Sequence, residues 1–533
     1  MEYNLPPTVE RKRIAKFGYG LVAKRGIKKN SDIFRKIPAL SVPITELRPT
    51  ICSYCFGIKL QTEDFVSPAT VKILIQCPDC KLTYYCSKTC KEADSELHKS
   101  GECQSLSKMG RIPPTYVLLI IRVIFLSGPA RRKFYGAMDN MMSHLERLKL
   151  ESRFEAMEVI TRGTVEYTGT LLLYEQLLEI MAKLNVNSAS VTNPLFEPIG
   201  AMIDPEFALI NHSCDPNCML MFDKNMMILR TMRDIDASEQ ITISYVDNAH
   251  PMNERRRHIL ETYFFDCQCS SCKVPGGRTI DHFDLRDMLI CPRCARQFQP
   301  FNDDGKINVK DCPDCHTAIP PKTLELVDVK GCDKLLKEEV VTEKDAQNLL
   351  LEIQSLNKCF LPLNRSPIAN CFDKLASYYY SDTHRIFDEL FFTFCAETAF
   401  DGLFTPNVIY NGVIIARQFR ILTRIFSLAP VMLQQSVLNP KVPNIDLILF
   451  VQSNTLLKSI VLGYGPDSLF EKFVKASFYD VVAKRLGKAA VARFAKFDRT
   501  SPAYSQEYAT FQKFITAPSR LPSTLYEKKP IQS

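Results

Sequence analysis

The 533-residue sequence has no uninterrupted hydrophobic run long enough to cross a bilayer. Its longest apolar stretch, Tyr116 to Leu126, contains Arg122 and falls short of the roughly 20 residues that a spanning helix needs, so we expect a buried helix and no membrane association. The first residues, MEYNLPPTVERKR, have no apolar run behind their charges, which disfavours an export signal. A dense lysine and arginine block is also absent, so the net charge of +8 supports direct nucleic-acid binding only weakly.

Cysteine, in contrast, is abundant, with 20 residues in the chain. In a protein without an export signal, cysteines are more often zinc-bound thiolates than disulfides, and we expect a nuclear and cytoplasmic location. Hydrophobic residues, at 46%, suffice for a large core, and the length allows about three or four domains.

The first cysteine cluster lies between residues 52 and 103. It contains C-x2-C and C-x3-C pairs followed by a histidine and a further cysteine, enough ligands for two tetrahedral zinc ions. These ligands are Cys52, Cys55, Cys77, Cys80, Cys86, Cys90, His98 and Cys103. The stretch resembles the MYND zinc finger. By that resemblance, one zinc takes Cys52, Cys55, Cys86 and Cys90, and the other takes Cys77, Cys80, His98 and Cys103.

A second cluster, FFDCQCSSC, supplies only three thiolates, Cys267, Cys269 and Cys272. A structural zinc has four protein ligands, so a distant residue must complete the set. Cys214, in the octet NHSCDPNC, is the candidate. The octet, the following EQITISY and the C-x-C-x2-C run together resemble the SET domain of protein lysine methyltransferases and its post-SET zinc loop.

Two further motifs carry the resemblance to the SET and MYND domain family. FGYGLVA, at residues 17–23, matches the family's amino-terminal G-x-G segment, and NSASVTNPLFEPIG, at residues 187–200, is similar to the stretch before NHSC. The resemblance implies an α+β fold: a β-rich SET domain with an inserted MYND finger and a helical insert, a post-SET zinc loop, a zinc ribbon and an α-helical carboxyl-terminal domain.

The family resemblance also implies the active-site residues and the cofactor. S-Adenosylmethionine is the implied methyl donor, and Tyr245 and Tyr263 are the implied catalytic residues. The implied cofactor-binding residues are Gly18, Tyr19, Gly20, His144, Asn193, Asn211, His212, Tyr245 and Phe265. From the residues alone, Tyr245 is also compatible with ordinary packing at a strand end, and Asn211 with His212 is compatible with a buried turn.

Physical chemistry supports these roles. A lysine amine with a pKa near 10.4 is protonated at neutral pH, and deprotonating it costs about 4 to 5 kcal/mol. An apolar aromatic channel favours the neutral amine, and a hydroxyl at its end can align the lone pair. In ITISY, Ile241, Ile243 and Tyr245 alternate onto one face of a predicted strand, and the family resemblance implies that the Tyr245 hydroxyl meets the amine.

Two parts of the sequence depart from the family pattern. The turn before that strand reads Ser238, Glu239 and Gln240, where the family usually has glycine and two acidic residues; this departure bears on the turn geometry and leaves Tyr245 in register. Cys218, the last residue of the octet, matches no family ligand, and we predict a small buried hydrophobic side chain.

Two more knuckles, CPRC and CPDC, have the spacing of a zinc ribbon. Their ligands are Cys291, Cys294, Cys312 and Cys315, which brings the expected total to about four structural zinc ions. We expect the ribbon to be structural and His316 beside it to be a bystander.

The rest of the chain has helical periodicity. Thr342 and Asp345 predict a capping box. The two apolar faces that we predict consist of Ala346, Leu349, Leu350, Ile353 and Leu356, and of Leu469, Phe473, Val474, Phe478 and Val481. The isolated cysteines, Cys332, Cys359, Cys371 and Cys395, are expected to be buried, and the tail after Pro518 to be frayed.

The predicted boundaries follow these motifs. They are 1–48 for the first part of the SET domain, 49–106 for the finger, 107–190 for the helical insert, 191–252 for the core SET domain, 253–275 for the post-SET loop, 285–320 for the ribbon and 321–533 for the helical domain.

The function that we expect is S-adenosylmethionine-dependent methylation of lysine in histones or other proteins, by a monomer. The alternative is a catalytically weak adaptor that binds proline-rich peptides through the MYND finger. The intact Gly18, Gly20, Asn211, His212 and Tyr245 favour the enzyme.

Overall fold

The structure, a computed structural model, is described for most of the chain. It covers residues 3–14, 18–57, 74–194, 196–248, 250, 252–272, 288–300, 307–327, 339–357, 361, 366–380, 385–401, 412–436, 444–499 and 501–516. Cys332, Cys359, the tail after Pro518 and parts of several predicted domains lie outside these ranges. The chain divides into two compact units: Met1–Ile243 with Leu260–Phe265 and Gly463–Phe470, and Ser244–Ile259 with Asp266–Leu462 and Glu471–Ser533.

The first unit contains the β-structure of the SET region. Within the described residues, two three-stranded antiparallel sheets have the orders β4-β8-β7 and β10-β11-β3, and β9 pairs with β12 in parallel. The strands are β1 Val9–Ile14, β2 Gly18–Ala23, β3 Asp32–Lys36, β4 Leu40–Pro43, β5 Ile75–Gln76, β6 Tyr84–Tyr85, β7 Ala189–Thr192, β8 Pro198–Ile203, β9 Asn211–His212, β10 Cys218–Asp223, β11 Met226–Thr231 and β12 Thr242–Ile243.

Helices accompany this β-structure in the first unit. They are Lys88–Leu97, Cys103–Met109, Thr115–Phe125, Gly128–Met138, Leu145–Leu148, Arg153–Thr168 and Tyr174–Asn187. The apolar stretch that predicted a buried helix is the helix Thr115–Phe125, whose residues from Val117 to Ile124 are buried. Arg122 is buried with them because its guanidinium pairs with the carboxylates of Asp94 and Glu102.

The second unit is mainly helical, apart from the hairpin β13 Leu289–Ile290 and β14 Gln297–Phe298. Its helices, some of which extend into the first unit, are Met252–Tyr263, Pro321–Val327, Glu343–Asn357, Ser366–Tyr380, Ile386–Asp401, Gly412–Ser436, Ile445–Tyr464, Leu469–Val474, Asp480–Phe494 and Pro502–Thr516. Strand-rich and helix-rich parts in one chain confirm the predicted α+β class.

The predicted capping box is present at the start of Glu343–Asn357. The backbone amide of Thr342 donates to the Asp345 carboxylate at 2.8 Å, and the amide of Asp345 donates to the Thr342 hydroxyl at 3.2 Å. On the predicted face Ala346, Leu349 and Ile353 are buried. Among the isolated cysteines, Cys371 and Cys395 are buried as expected.

The second predicted apolar face is partly wrong. Val474 and Phe478 are buried, but Leu469 and Val481 are exposed, and Phe470 and Val482 are buried instead. A π-helical turn at Lys475–Tyr479 interrupts the α-helical repeat. A π turn holds more residues than an α turn, so positions spaced for a continuous α-helix no longer share one face.

Among the described residues, one helix is long and apolar enough to cross a membrane on length and composition alone. It is Ile445–Tyr464, with a mean hydropathy of 1.5 over an 18-residue window. Of that window, 61% is buried inside the protein. Core helices of folded proteins have the same properties.

Candidate active site and zinc centres

The first zinc-ligand group consists of Cys52, Cys55, Cys86 and Cys90, whose sulfur atoms all lie within 4.8 Å of one another. The Sγ atoms of Cys55 and Cys86 are 3.6 Å apart, and those of Cys86 and Cys90 are 3.5 Å apart. Four thiolates at about 2.3 Å from a tetrahedral zinc would lie about 3.8 Å from one another. The four thiols therefore fit one zinc ion.

The second group consists of Cys77, Cys80, His98 and Cys103, again within 4.8 Å. The Cys80 sulfur lies 3.7 Å from Nε2 of His98, and the sulfurs of Cys77 and Cys103 are 3.8 Å apart. Burial opposes the thiolate of Cys80, but hydrogen bonds with His98 and neighbouring groups lower the pKa of Cys80 to about 6. Both finger groups thus have the pairing that the MYND resemblance implied.

A buried ionic cluster surrounds this second group. Nδ1 of His98 is 3.3 Å from the carboxylate of Glu102, which also pairs with Arg48 at 2.7 Å and Arg122 at 3.0 Å. Asp94 accepts from Arg122 and from the Tyr85 hydroxyl. Although Asp94, His98 and Glu102 also lie within 4.8 Å, the arginines occupy both carboxylates. We therefore infer that Glu102 orients the ligand His98 and that Asp94 supports this arrangement through Arg122.

The knuckle turns have a common backbone conformation. Phe56, Lys81, Ala295 and His316, each directly after the second cysteine of a knuckle, have positive φ angles between 53° and 60°. Each of their amides donates to the carbonyl of the first cysteine, at 2.9 to 3.1 Å. This left-handed residue closes the turn that brings the two sulfurs together. The spacing prediction therefore has a backbone explanation at all four turns.

The ribbon group in the second unit consists of Cys291, Cys294, Cys312 and Cys315. The sulfurs of Cys291 and Cys315 are 3.4 Å apart and those of Cys294 and Cys312 are 3.6 Å apart, so this set also fits one zinc ion. Cys291 and Cys312 belong to the hydrophobic core that includes Leu349 and Phe372 of the helices. His316 is exposed and belongs to no ligand group among the described residues.

The post-SET cysteines, Cys267, Cys269 and Cys272, lie together in the second unit. The amide of Cys272 donates to the carbonyl of Cys269 at 3.0 Å, which closes a short turn. Cys214 is buried in the first unit, where its sulfur lies 3.3 Å from Nε2 of His212. Its role as the fourth ligand stays a prediction.

Metal analysis tests these assignments. We expect about four zinc ions per folded chain, because the sixteen predicted ligands are enough for four tetrahedral sites. Elemental analysis by mass spectrometry after extensive dialysis measures the ratio. Two or fewer zinc ions in folded protein would contradict the assignment.

The candidate cofactor site begins at the glycine strand β2. Gly18 has a φ of +77°, a backbone conformation that residues other than glycine rarely adopt. At Gly20, a Cβ atom would lie 2.6 Å from Nδ2 of Asn211 and 2.9 Å from Nε2 of Gln240. Nδ2 of Asn211 donates to the carbonyl of Tyr19 at 3.3 Å. Gly20 therefore lets the G-x-G backbone lie against the octet, whereas Gly18 is favoured by its backbone conformation.

Asn217, which the sequence analysis missed, fixes the neighbouring turn. Its buried side-chain amide donates to Glu239 and to the carbonyl of Gln240, and its oxygen accepts from the amide of Thr242 at 2.9 Å. These bonds connect the octet to the beginning of β12, which pairs in parallel with Asn211–His212. The octet is therefore a scaffold as well as a predicted binding motif. The signal available in the sequence was an asparagine two residues after Asp215 in the octet.

The turn before β12 keeps the geometry that a glycine would have. Ser238 has a φ of +68°, and its amide donates to the carbonyl of Ala23 at 2.8 Å. Serine in place of the family's glycine therefore adds backbone strain at position 238 but does not change the conformation of the turn.

Replacing Ser238 by glycine should stabilise the protein by about 0.5–1 kcal/mol, because the left-handed conformation costs an ordinary residue about 1–2 kcal/mol and glycine's extra entropy offsets part of that. Urea unfolding measures the change. Ser190→Gly, in strand β7, is the control and should destabilise the protein. An equal loss at both positions would contradict the assigned strain.

Tyr245 does not lie on a strand, and this prediction is wrong in part. Strand β12 ends at Ile243, after Ile241 and Ile243 have alternated to the buried side as predicted. The Ser244 hydroxyl donates to the carbonyl of Val246 at 2.7 Å and lies 2.6 Å from Oδ1 of Asn248. Such local side-chain bonds compete with a strand ladder, so the chain bends at Tyr245, which is half-buried.

The other predicted aromatic and histidine residues lie around the segment Leu260–Phe265 of the first unit. The His212 and Phe265 ring centroids are 6.2 Å apart, and those of His144 and Phe264 are 5.2 Å apart. Burial lowers the pKa of His144, with a contribution from Arg147, and burial raises the pKa of Tyr263. The structure thus brings His144 and His212 to the same aromatic segment.

Tyr19 and Asn193 complete the predicted set. The ring of Tyr19 is 45% exposed and lies under the guanidinium of Arg11, 3.5 Å from its centroid. Asn193 is in the turn between β7 and β8, where its side-chain oxygen accepts from the amide of Glu197 at 3.0 Å.

The sequence model of the SET domain family matches residues 18–246, the range that contains the glycine strand, the octet and β12. The SET domain and MYND-type zinc finger protein 6 of Schizosaccharomyces pombe is 32% identical over 271 residues, which are 50% of this chain and 52% of that protein. Histone-lysine N-methyltransferase SMYD3 of Homo sapiens is 28% identical over 279 residues, which are 50% of this chain and 62% of that protein.

These alignments span less than two thirds of the length of the two relatives. Among solved structures, the SET domain of LSMT bound to lysine and AdoHcy matches with a TM-score of 0.25 and 13% identity, over 80% of this chain and 88% of that one. The SET match over residues 18–246 and the named relatives support the predicted resemblance of this chain to SET and MYND domain proteins.

Proposed function

We propose that the protein is an S-adenosylmethionine-dependent protein lysine N-methyltransferase. One observation carries the proposal: the G-x-G strand, Asn211 and Gln240 converge so closely that no Cβ fits at Gly20. This convergence lies inside the matched SET range. SMYD3, similar over half of this chain, is named a histone-lysine N-methyltransferase.

The residues of this chain would act mainly by positioning. When bound, S-adenosylmethionine would supply the methyl group of its sulfonium to a lysine that has already lost its ammonium proton to solvent, with the neutral thioether S-adenosylhomocysteine as the leaving group. Gly18 supplies the positive φ angle at the start of β2, Gly20 lets this strand pack against Asn211, and Asn211 and His212 would offer polar groups to the donor. Tyr263 and Phe265 provide aromatic surface that favours the uncharged amine. The Tyr245 hydroxyl aligns its lone pair.

Partners and location form part of this proposal. The substrate is a lysine of a histone or of another protein, and the finger with Cys52 and Cys77 is a candidate site for proline-rich peptides. We propose a monomer that is present in the nucleus and the cytoplasm. The support for these points is the family resemblance and the grouping of the cysteines as zinc ligands.

The variant Gly20→Ala tests the cofactor site. Its Cβ would have to displace the Asn211 amide, 2.6 Å away, so the dissociation constant for S-adenosylmethionine should rise at least about tenfold, or 1.4 kcal/mol. Calorimetry with S-adenosylmethionine measures the affinity. Transfer of labelled methyl groups to mixed histones measures activity.

Gly26→Ala is the matched control, because a Cβ there approaches only the carbonyl of Ile235, at 3.8 Å. This variant should bind the donor as the wild type does. If both variants bound S-adenosylmethionine with equal affinity, strand β2 would not be part of the donor site. Donor binding without methylation of any protein in a whole-cell extract would favour the catalytically weak adaptor.

A further inference from the structure

A short segment from the carboxyl-terminal half of the chain, Gly463–Phe470, is part of the first compact unit. Tyr464, in this segment, is the last residue of the helix Ile445–Tyr464 and is only 1% exposed. The chain thus leaves the second unit, contributes eight residues to the first and returns.

The side chain of Tyr464 contacts the turn between β7 and β8. Its hydroxyl donates to the carbonyl of Pro194 at 3.3 Å, and its ring centroid lies 6.4 Å from that of Phe196 in an edge-to-face arrangement. Asn193, a predicted cofactor-binding residue, directly precedes Pro194. The side-chain oxygen of Asn193 accepts from the amide of Glu197. Asn193 is therefore part of the same tight turn that Tyr464 contacts.

The backbone of the same segment is anchored independently. The carbonyl of Tyr464 accepts from Nη2 of Arg35 at 3.2 Å. Gly465 follows with a φ of +84°, the conformation that commonly ends a helix, and a Cβ there would lie 3.3 Å from Nη1 of Arg230. A Cβ at this position would therefore be strained by the backbone and crowded by Arg230.

Electrostatics explains why a helix end fits there. Arg35 and Arg230 share the single carboxylate of Asp32, at 3.0 Å and 2.5 Å, so these three side chains carry more positive than negative charge. The carboxyl end of a helix has a partial negative charge of about half an electron. The helix end is therefore stabilised beside the two guanidinium groups, and this holds Tyr464 in place.

From these contacts we propose that Tyr464 is a positioning residue that holds the Asn193–Glu197 turn in the conformation that presents Asn193 to S-adenosylmethionine. The inference rests on the proposed function. It gives the segment Gly463–Phe470 an indirect part in the donor site, through the turn that carries Asn193, which helical periodicity did not predict.

Two variants of Tyr464 test the proposal in the full-length protein. Tyr464→Phe keeps the ring and removes the hydroxyl that donates to the Pro194 carbonyl. Tyr464→Ala removes this hydrogen bond and also the ring contact with Phe196. For Tyr464→Phe, the dissociation constant and KM for S-adenosylmethionine should rise about three- to tenfold, with kcat at saturating donor within twofold of the wild type. Tyr464→Ala should raise them further.

Tyr504→Phe is the matched control. Tyr504 is equally buried, but its hydroxyl bonds with Gln452 inside the second unit. A general loss of stability would affect all three variants, whereas the proposal requires that only the Tyr464 variants lose donor affinity. Hydrogen–deuterium exchange gives a second readout: peptides covering residues 189–203 should exchange faster in the Tyr464 variants than in Tyr504→Phe.

The outcomes are distinct. Wild-type donor affinity and unchanged exchange in folded Tyr464→Ala would overturn the inference while leaving the proposed function intact. If Tyr464→Ala does not fold, Tyr464→Phe alone decides, by the same criteria. A wild-type protein that does not bind S-adenosylmethionine would overturn the proposed function itself, and the inference with it.

Discussion

Replacing Tyr245 by phenylalanine should lower kcat at least about a hundredfold, equivalent to about 2.7 kcal/mol in the activation free energy, while donor affinity and the melting temperature stay near wild type. The change removes one oxygen and keeps the ring. Under the proposed mechanism, that oxygen aligns the lysine lone pair, an interaction made at the moment of transfer. Single-turnover transfer of labelled methyl groups measures this effect.

Tyr174→Phe is a control for the loss of a tyrosine hydroxyl. The Tyr174 hydroxyl donates to Glu158 in the helical insert, within the first unit but in a helix rather than the SET strands, so methyl transfer should be unchanged. Full activity of Tyr245→Phe would make Tyr245 a packing residue. Tyr263, whose pKa is raised by burial, would then be the leading catalytic candidate.

Zinc ligands could be found from the sequence because their geometry is local. Two cysteines separated by two residues form a knuckle whose closing residue, such as Lys81 or His316, takes a left-handed conformation. The spacing in the chain therefore determines the distance between the sulfurs. The capping box at Thr342 could be predicted for the same reason, since both partners belong to one turn.

Features that depend on distant residues could not be predicted this way. Arg122 looked like an interruption of an apolar helix, yet it pairs with Asp94 and Glu102 from the finger. Tyr464 contacts a carbonyl 270 residues earlier in the chain. Periodicity describes which side of an element is apolar, but it does not identify the partner on that side.

Local rules also fail where the backbone departs from a regular repeat. The π turn at Lys475–Tyr479 changes which residues are buried after it, and the hydroxyl bonds of Ser244 end the strand before Tyr245. At Ser238 the opposite occurs, because the turn keeps its shape although the residue is unfavourable for it. Side-chain bonds and tertiary contacts override propensity at these positions.

The buried ionic cluster next to the second zinc group should give the largest stability effect. Glu102 is fully buried and pairs with both Arg48 and Arg122, which hold the pKa of its carboxyl well below the usual range. Glu102→Gln keeps the shape but removes the charge, leaving two buried guanidinium groups with the carboxylate of Asp94. Removing one partner of such a cluster costs about 3–5 kcal/mol in the free energy of unfolding.

Urea unfolding of the zinc-loaded protein measures this loss, and release of zinc to a chromogenic chelator should accelerate in parallel, because Glu102 also orients His98. Glu146→Gln is the control: Glu146 forms an exposed pair with Lys149, and its loss should change stability by less than about 0.5 kcal/mol. If Glu102→Gln were as stable as this control, the two arginines would have to be neutralised by other groups. If only zinc release accelerated, Glu102 would act on the ligand His98 alone.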